Sequence, residues 1–232
     1  MIRAVIFDFN GILVDDEGLH FQLFREVMAS EGIELSEERY HERYLGFDDR
    51  GCFEAVLIDA GRTADTATVE LLIARKASRY TARAQNELVI FPGAARSVAA
   101  LAARWPVAIC SGALRQEIHF ALELMNGAHH VAAIVAAEDT ERCKPDPEGY
   151  LLALDALRST VGPDLEAAHC LVVEDSLAGI QAAKTAGMWV VAITNTYTEN
   201  ELRDAGADAV LKSLDELNPD WVNHFFIPEI SP

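Results

Sequence analysis

Ile2-Arg3-Ala4-Val5-Ile6-Phe7-Asp8-Phe9-Asn10-Gly11 is a short apolar, β-branched run that stops at an acid and a glycine. Such a run predicts a strand buried on both faces. From about Asp16 the period changes. Leu19, Leu23, Val27 and Met28 are spaced for one helical face, ending at Gly32. Helical stretches follow around residues 37–45, 52–60 and 68–83, with no strand-like run between them. An all-helical segment of roughly seventy residues set between strands predicts an inserted helical domain. At Leu88-Val89-Ile90-Phe91-Pro92-Gly93 the strand rhythm returns. Strands at 107–110, 131–136, 170–173, 189–194 and 209–211 then alternate with helices. This alternation predicts an α/β fold with a doubly wound, Rossmann-like parallel sheet. The expected division is a core of residues 1–15 and 87–232, with the helical insert at 16–86.

Composition narrows the classes. The chain has 232 residues, half of them hydrophobic, enough to bury a core without disulfides. Its formal net charge is −18, from 37 acidic and 19 basic residues. That field repels nucleic-acid backbones and anionic lipid, so neither is an expected partner. Cys52, Cys110, Cys143 and Cys170 form no CxxC pair or zinc-spaced cluster, which suits a reducing compartment. The N-terminal apolar run is too short for a signal peptide, and no stretch reaches membrane-helix length. A cytoplasmic monomer or weak dimer is the expectation.

In an open parallel sheet, ligands bind beyond the carboxyl ends of the strands. Asp8, Ser111 and the pair Glu174-Asp175 lie just past successive predicted strand ends, and Lys144 lies in a loop after another. Three carboxylates, a hydroxyl and an ammonium are therefore expected on one rim. Taken singly, each has a plainer reading. Ser111, Asp175 and Ser176 could be helix caps, and Lys144 a surface lysine.

Four ordered motifs resemble those of the haloacid dehalogenase superfamily. They are Asp8-Phe9-Asn10-Gly11, Ser111-Gly112-Ala113, Lys144-Pro145-Asp146-Pro147 and Val173-Glu174-Asp175-Ser176. Asp15, His20 and Gly46-Phe47-Asp48-Asp49-Arg50 look like its β-phosphoglucomutase and phosphoglycolate-phosphatase-like branch. The insert lies where that branch places a small helical cap, which closes over the rim and selects the substrate.

The resemblance implies Mg²⁺-dependent phosphoryl transfer through an aspartyl-phosphate on Asp8, acting on a small phosphorylated metabolite. It implies a metal held by Asp8, the carbonyl of Asn10, Asp175 and, as ligand or neighbour, Glu174. Lys144 and Ser111 would hold the phosphoryl group, with the Gly112 or Ala113 amide beside them. His20, Arg50 and Lys76 are the expected substrate contacts from the insert.

One residue departs from the pattern. Phosphatases of this superfamily carry a second Asp where this chain has Asn10, and a carboxamide neither gives nor takes a proton at neutral pH. Asp16 and His20 are the nearby substitutes to consider. Three functions stay open: a phosphatase, a phosphosugar mutase, or a silent phosphate-binding protein.

Overall fold

The structure, a computed structural model, describes residues 1–226. In chain order the elements are β1 (Ala4–Phe7), β2 (Val14–Asp15), α1 (Glu17–Ser30), α2 (Glu37–Arg43), α3 (Asp49–Asp59) and α4 (Thr66–Glu87). Next come β3 (Val89–Ile90), α5 (Ala94–Ala102), β4 (Val107–Cys110), α6 (Arg115–Leu124), β5 (Val131–Val135) and α7 (Glu148–Val161). The chain continues through β6 (Cys170–Glu174), α8 (Leu177–Thr185), β7 (Trp189–Ile193), α9 (Glu199–Asp204), β8 (Ala209–Leu211) and α10 (Pro219–Phe226).

Six strands form one parallel sheet in the order β5-β4-β1-β6-β7-β8. Central β1 pairs with β4 through Val5↔Val107 and with β6 through Ile6↔Val172. Every residue of β1, β4 and β6 is buried. Burial on both faces is why these strands read as unbroken apolar runs rather than alternating ones. The chain goes from β1 to β4 and β5 on one side, then returns at β6 to the other. Loops leaving neighbouring strands diverge at such a switch, and a crevice opens beyond the strand ends. This is a Rossmann-like α/β core.

The chain divides into two compact units, residues 1–14 with 90–232 and residues 15–89. It crosses between them next to β2 and β3, a two-stranded ribbon that the sequence pattern does not announce. Two residues per strand are too few to show a period. The helical unit has its own core, in which Phe21, Phe24, Val27, Met28, Tyr40, Phe53, Leu57 and Leu72 pack together. Asp48 and Asp65 cap α3 and α4 by accepting the N–H groups of Gly51 and Thr68. Helix α4 begins and ends beyond the predicted 68–83. Helix α10 is absent from the sequence reading. It is only eight residues long, with Pro219 at its first position and Asn218 Oδ1 accepting from Trp221 N at 3.0 Å.

Among the described residues no helix is long and apolar enough to cross a membrane. All four cysteines are free, and only Cys143 is exposed.

Ile6 is wholly buried between sheet neighbours. Ile6→Ala is expected to cost about 2–5 kcal/mol through the lost methyl groups and the cavity left behind. A lower urea midpoint with an unchanged far-UV spectrum would show it.

Candidate active site

The first functional side chain follows from how β1 ends. Asp8 N donates to Val173 O at 2.9 Å, so strand pairing extends into the acid itself. The chain then turns tightly, with Leu13 N and Val14 N both donating to Phe9 O and Gly11 N to Val14 O. Gly11 stands at φ +75°, and a Cβ there would lie 2.1 Å from Asp175 Oδ2. Only glycine satisfies both the backbone and the space. Asn10 is placed by the same turn, and its Oδ1 accepts from Ser111 Oγ at 3.1 Å. Ser111, just past β4, also accepts from Ala113 N at 3.2 Å. It does not cap α6, whose N-cap is Leu114. Ala113 is buried, while Gly112 is exposed.

Lys144 reaches this rim from the loop between β5 and α7. Glu148 ties the loop down, its carboxylate accepting the N–H groups of Glu141 and Arg142 at 3.1 Å each. Lys144 Nζ lies 2.9 Å from Asp8 Oδ1 and 2.7 Å from Glu174 Oε1. It is a mostly buried lysine between two carboxylates, not a surface one.

Glu174 ends β6 and has no solvent exposure. Its Oε1 accepts from Lys144 Nζ and from Tyr150 OH at 2.9 Å. Its Oε2 accepts from Asp175 N, Ser176 N and Ser176 Oγ, each at 2.9 Å. Five donors thus converge on one carboxylate. Gly179 makes room for it, since a Cβ there would sit 1.6 Å from Glu174 Oε1. The cap of α8 is Ser176, which accepts from Gly179 N at 3.0 Å. Asp175 is thereby left facing the rim, where the Thr196 hydroxyl donates to its Oδ2. Asn195 Nδ2 donates to Gly11 O at 2.6 Å.

Sequence reasoning missed Tyr150, Asn195 and Thr196. Asn195 and Thr196 follow β7, so the strand-end rule applied once more would have found them. Tyr150 carries no such signal.

Asp8, Glu174 and Asp175 each offer a carboxylate oxygen within 4.8 Å of the others. The electrostatics reflect that crowding. Burial, opposed by Lys144 and aided by Glu174, pushes Asp8 up to about 6. Burial and the charges of Glu174 and Asp8 push Asp175 well above the usual carboxylate range. Burial also opposes the Glu174 charge, but Lys144 and the donated hydrogen bonds outweigh it and hold its pKa low. The Lys144 ammonium likewise overcomes its burial because Asp8 and Glu174 flank it, and its pKa is raised.

Three buried carboxylates against one ammonium leave negative charge uncompensated. Oxygen donors so placed fit a hard divalent cation such as Mg²⁺. Asp8 and Asp175 are the open members of the trio, whereas the Glu174 oxygens are already taken by protein donors.

The expected insert residues separate into two settings within the helical unit. Lys76 is fully buried. Its Nζ lies 2.6 Å from His20 Nδ1, donates to Asp49 Oδ1, and sits 4.5 Å from the centroid of the Phe24 ring. With Lys76 donating to Nδ1, His20 carries its proton on Nε2, 3.1 Å from Asp16 Oδ2, which also accepts from Tyr80 OH at 2.7 Å. Lys76 is therefore charge-paired inside the helices, and an anion reaching it would have to displace Asp49. Arg50 is exposed, 3.9 Å from Glu70.

With this geometry in hand, similarity to known proteins becomes interpretable. Residues 5–193 match the family model of haloacid dehalogenase-like hydrolases. The chain belongs to that family. It is 29% identical to validoxylamine A 7′-phosphate phosphatase of Streptomyces hygroscopicus subsp. limoneus, over 94% of this chain and 96% of the relative. It is 28% identical to a phosphorylated carbohydrates phosphatase of Thermotoga maritima, over 94% and 97%. Among solved structures, an Asp-to-Asn variant of CbbY from Rhodobacter sphaeroides in complex with xylulose-(1,5)bisphosphate superposes with a TM-score of 0.80. That match is at 28% identity and covers 94% of this chain and 96% of that one.

Two measurements follow. Between about pH 4 and 6 Asp8 of the folded, metal-free protein holds its proton more tightly than in the unfolded chain, because its pKa is raised on folding. The Asp8 contribution to the stability of the metal-free protein therefore falls as pH rises through that window. Mg²⁺ should raise Tm more at neutral pH than near pH 5, and equal shifts would contradict the charge argument. In the helical unit, Lys76→Met strands Asp49 as a buried charge and should cost about 3–5 kcal/mol. Adding Asp49→Asn should restore much of that loss in a denaturation series.

Proposed function

We propose that this chain is a Mg²⁺-dependent phosphoryl-transfer enzyme, a phosphatase of small phosphorylated sugars, with Asp8 as the nucleophile. The observation that carries this reading is Asp8 at the end of the central strand, with Lys144 Nζ 2.9 Å away and Asp175 within the same carboxylate cluster. Its phosphatase relatives and the sugar bisphosphate held by CbbY support the substrate class.

On this reading Asp8 Oδ attacks phosphorus in line, and an aspartyl-phosphate forms as the leaving oxygen departs. Lys144 neutralises the transferring phosphoryl group, and Glu174 holds Lys144 in position from behind. Ser111 Oγ, with the Ala113 amide beside it, donates to a phosphoryl oxygen. Asp8, Asp175 and the backbone carbonyl of Asn10 hold the cation, and Glu174 stays outside the ligand set. When bound, the cation supplies countercharge between nucleophile and substrate and keeps Asp8 ionised. Thr196 orients Asp175 through its hydroxyl. His20, Arg50 and Lys76 remain our assignment for substrate selection by the helical unit, with Lys76 acting through its pairing with Asp49 and His20.

The test is a panel of sugar phosphates assayed with and without Mg²⁺. Asp8→Ala should abolish turnover, and Lys144→Met should lower kcat by about 10²–10³. Turnover that survives Asp8→Ala would sink the assignment.

A further inference from the structure

Asn10 is built into the rim as firmly as Asp8. Its side chain accepts from Ser111 Oγ. The turn that carries it is closed by Gly11 N on Val14 O at 2.9 Å and by Asn195 Nδ2 on Gly11 O at 2.6 Å. A carboxamide in that place orients its neighbours but exchanges no proton. The other side chains reaching the carboxylates are an ammonium and three hydroxyls. Lys144 is committed to Asp8 and Glu174, Tyr150 and Ser176 to Glu174, and Thr196 to Asp175. Among the described residues of this rim, the side chains bind and polarise a phosphoryl group, and none is placed as a general acid for a departing alkoxide.

We propose that this site draws its phosphoryl group from donors whose leaving oxygen departs as a weak base, acyl phosphates foremost, and retains it on Asp8. The inference deepens the reading of Asp8 as nucleophile and rests on it. In the transfer step a bond forms between Asp8 Oδ and phosphorus while the bond from phosphorus to the acyl oxygen breaks. The electron pair leaves with a carboxylate that is stable unprotonated, so no proton has to move. An alkyl phosphate would instead release an alkoxide, which needs a proton at the moment of departure. The return step has the mirror-image need. Water attacking the aspartyl-phosphate must give a proton to a base, and Asn10 cannot take it. The phosphorylated form therefore outlives that of an enzyme with Asp at this position.

The experiment compares the wild-type chain, Asn10→Asp, Asp16→Asn and Asp8→Ala, each with Mg²⁺. Acetyl phosphate is one donor, and a set of pentose and hexose phosphates the other. Intact mass reports phosphorylation, and hydroxylamine sensitivity reports an acyl-phosphate linkage. Acetyl phosphate should add one phosphoryl group to the wild type and none to Asp8→Ala, while the sugar phosphates should phosphorylate the wild type about 10²–10⁴-fold more slowly. In Asn10→Asp the adduct should decay about 10²–10⁴-fold faster, with sugar phosphate turnover rising alongside.

Two results overturn the inference while leaving Asp8 as nucleophile. One is wild-type turnover of sugar phosphates that Asn10→Asp does not improve. The other is turnover lost in Asp16→Asn, which would place the proton donor in the helical unit. Absence of a phosphoryl group on Asp8 from any donor, in Asn10→Asp as in wild type, would bring down the Asp8 reading itself.

Discussion

Lys144 stands between two carboxylates in a place largely closed to water, and the rest of the rim is arranged around that contact. Opposite charges at such separations attract far more strongly when water is excluded, but burying either alone is costly. The compensation holds only when three distant segments meet: the end of β1, the end of β6 and the loop before α7. Glu174 shows how completely it is met, with five donors on two oxygens. Asp175 lacks that many donors, so burial, which Lys144 and the donated hydrogen bonds outweigh at Glu174, drives Asp175 toward its protonated form. Adjacent acids thus acquire opposite characters, one a structural anchor and the other a group awaiting countercharge.

A second buried polar network lies in the helical unit, running from Asp49 through Lys76 and His20 to Asp16 and Tyr80. Its logic is the same: a charge removed from water is held by partners on other helices. Lys76 comes from α4, Asp49 from the start of α3 and His20 from α1. The network thereby ties three helices together through buried polar contacts.

Much of this was legible before any coordinates. The strands showed because burial on both faces leaves an unbroken apolar run, and Asp8, Ser111 and Glu174-Asp175 showed because ligands gather at strand ends. The helical insert showed through its period. What stayed hidden depended on partners distant in sequence. Nothing near Lys76 says that Asp49 neutralises it, and a lysine on an amphipathic helix reads as a cation facing water. Tyr150 looks like an ordinary core aromatic until its hydroxyl is seen on Glu174. The β2/β3 ribbon and α10 were too short to leave a periodic signature.

The central place of β1 has a consequence for how the chain is made. Val5 finds its neighbours only at Val107 and Leu171. During synthesis this apolar strand emerges before either partner, so one flank awaits residues beyond the whole helical unit and the other awaits β6. Pairings so distant in sequence close slowly, and the unpaired strand stays open to aggregation meanwhile. The helical unit, compact within residues 15–89, can condense first. Biogenesis would then run inside out, with the inserted module ripening before the sheet that frames it.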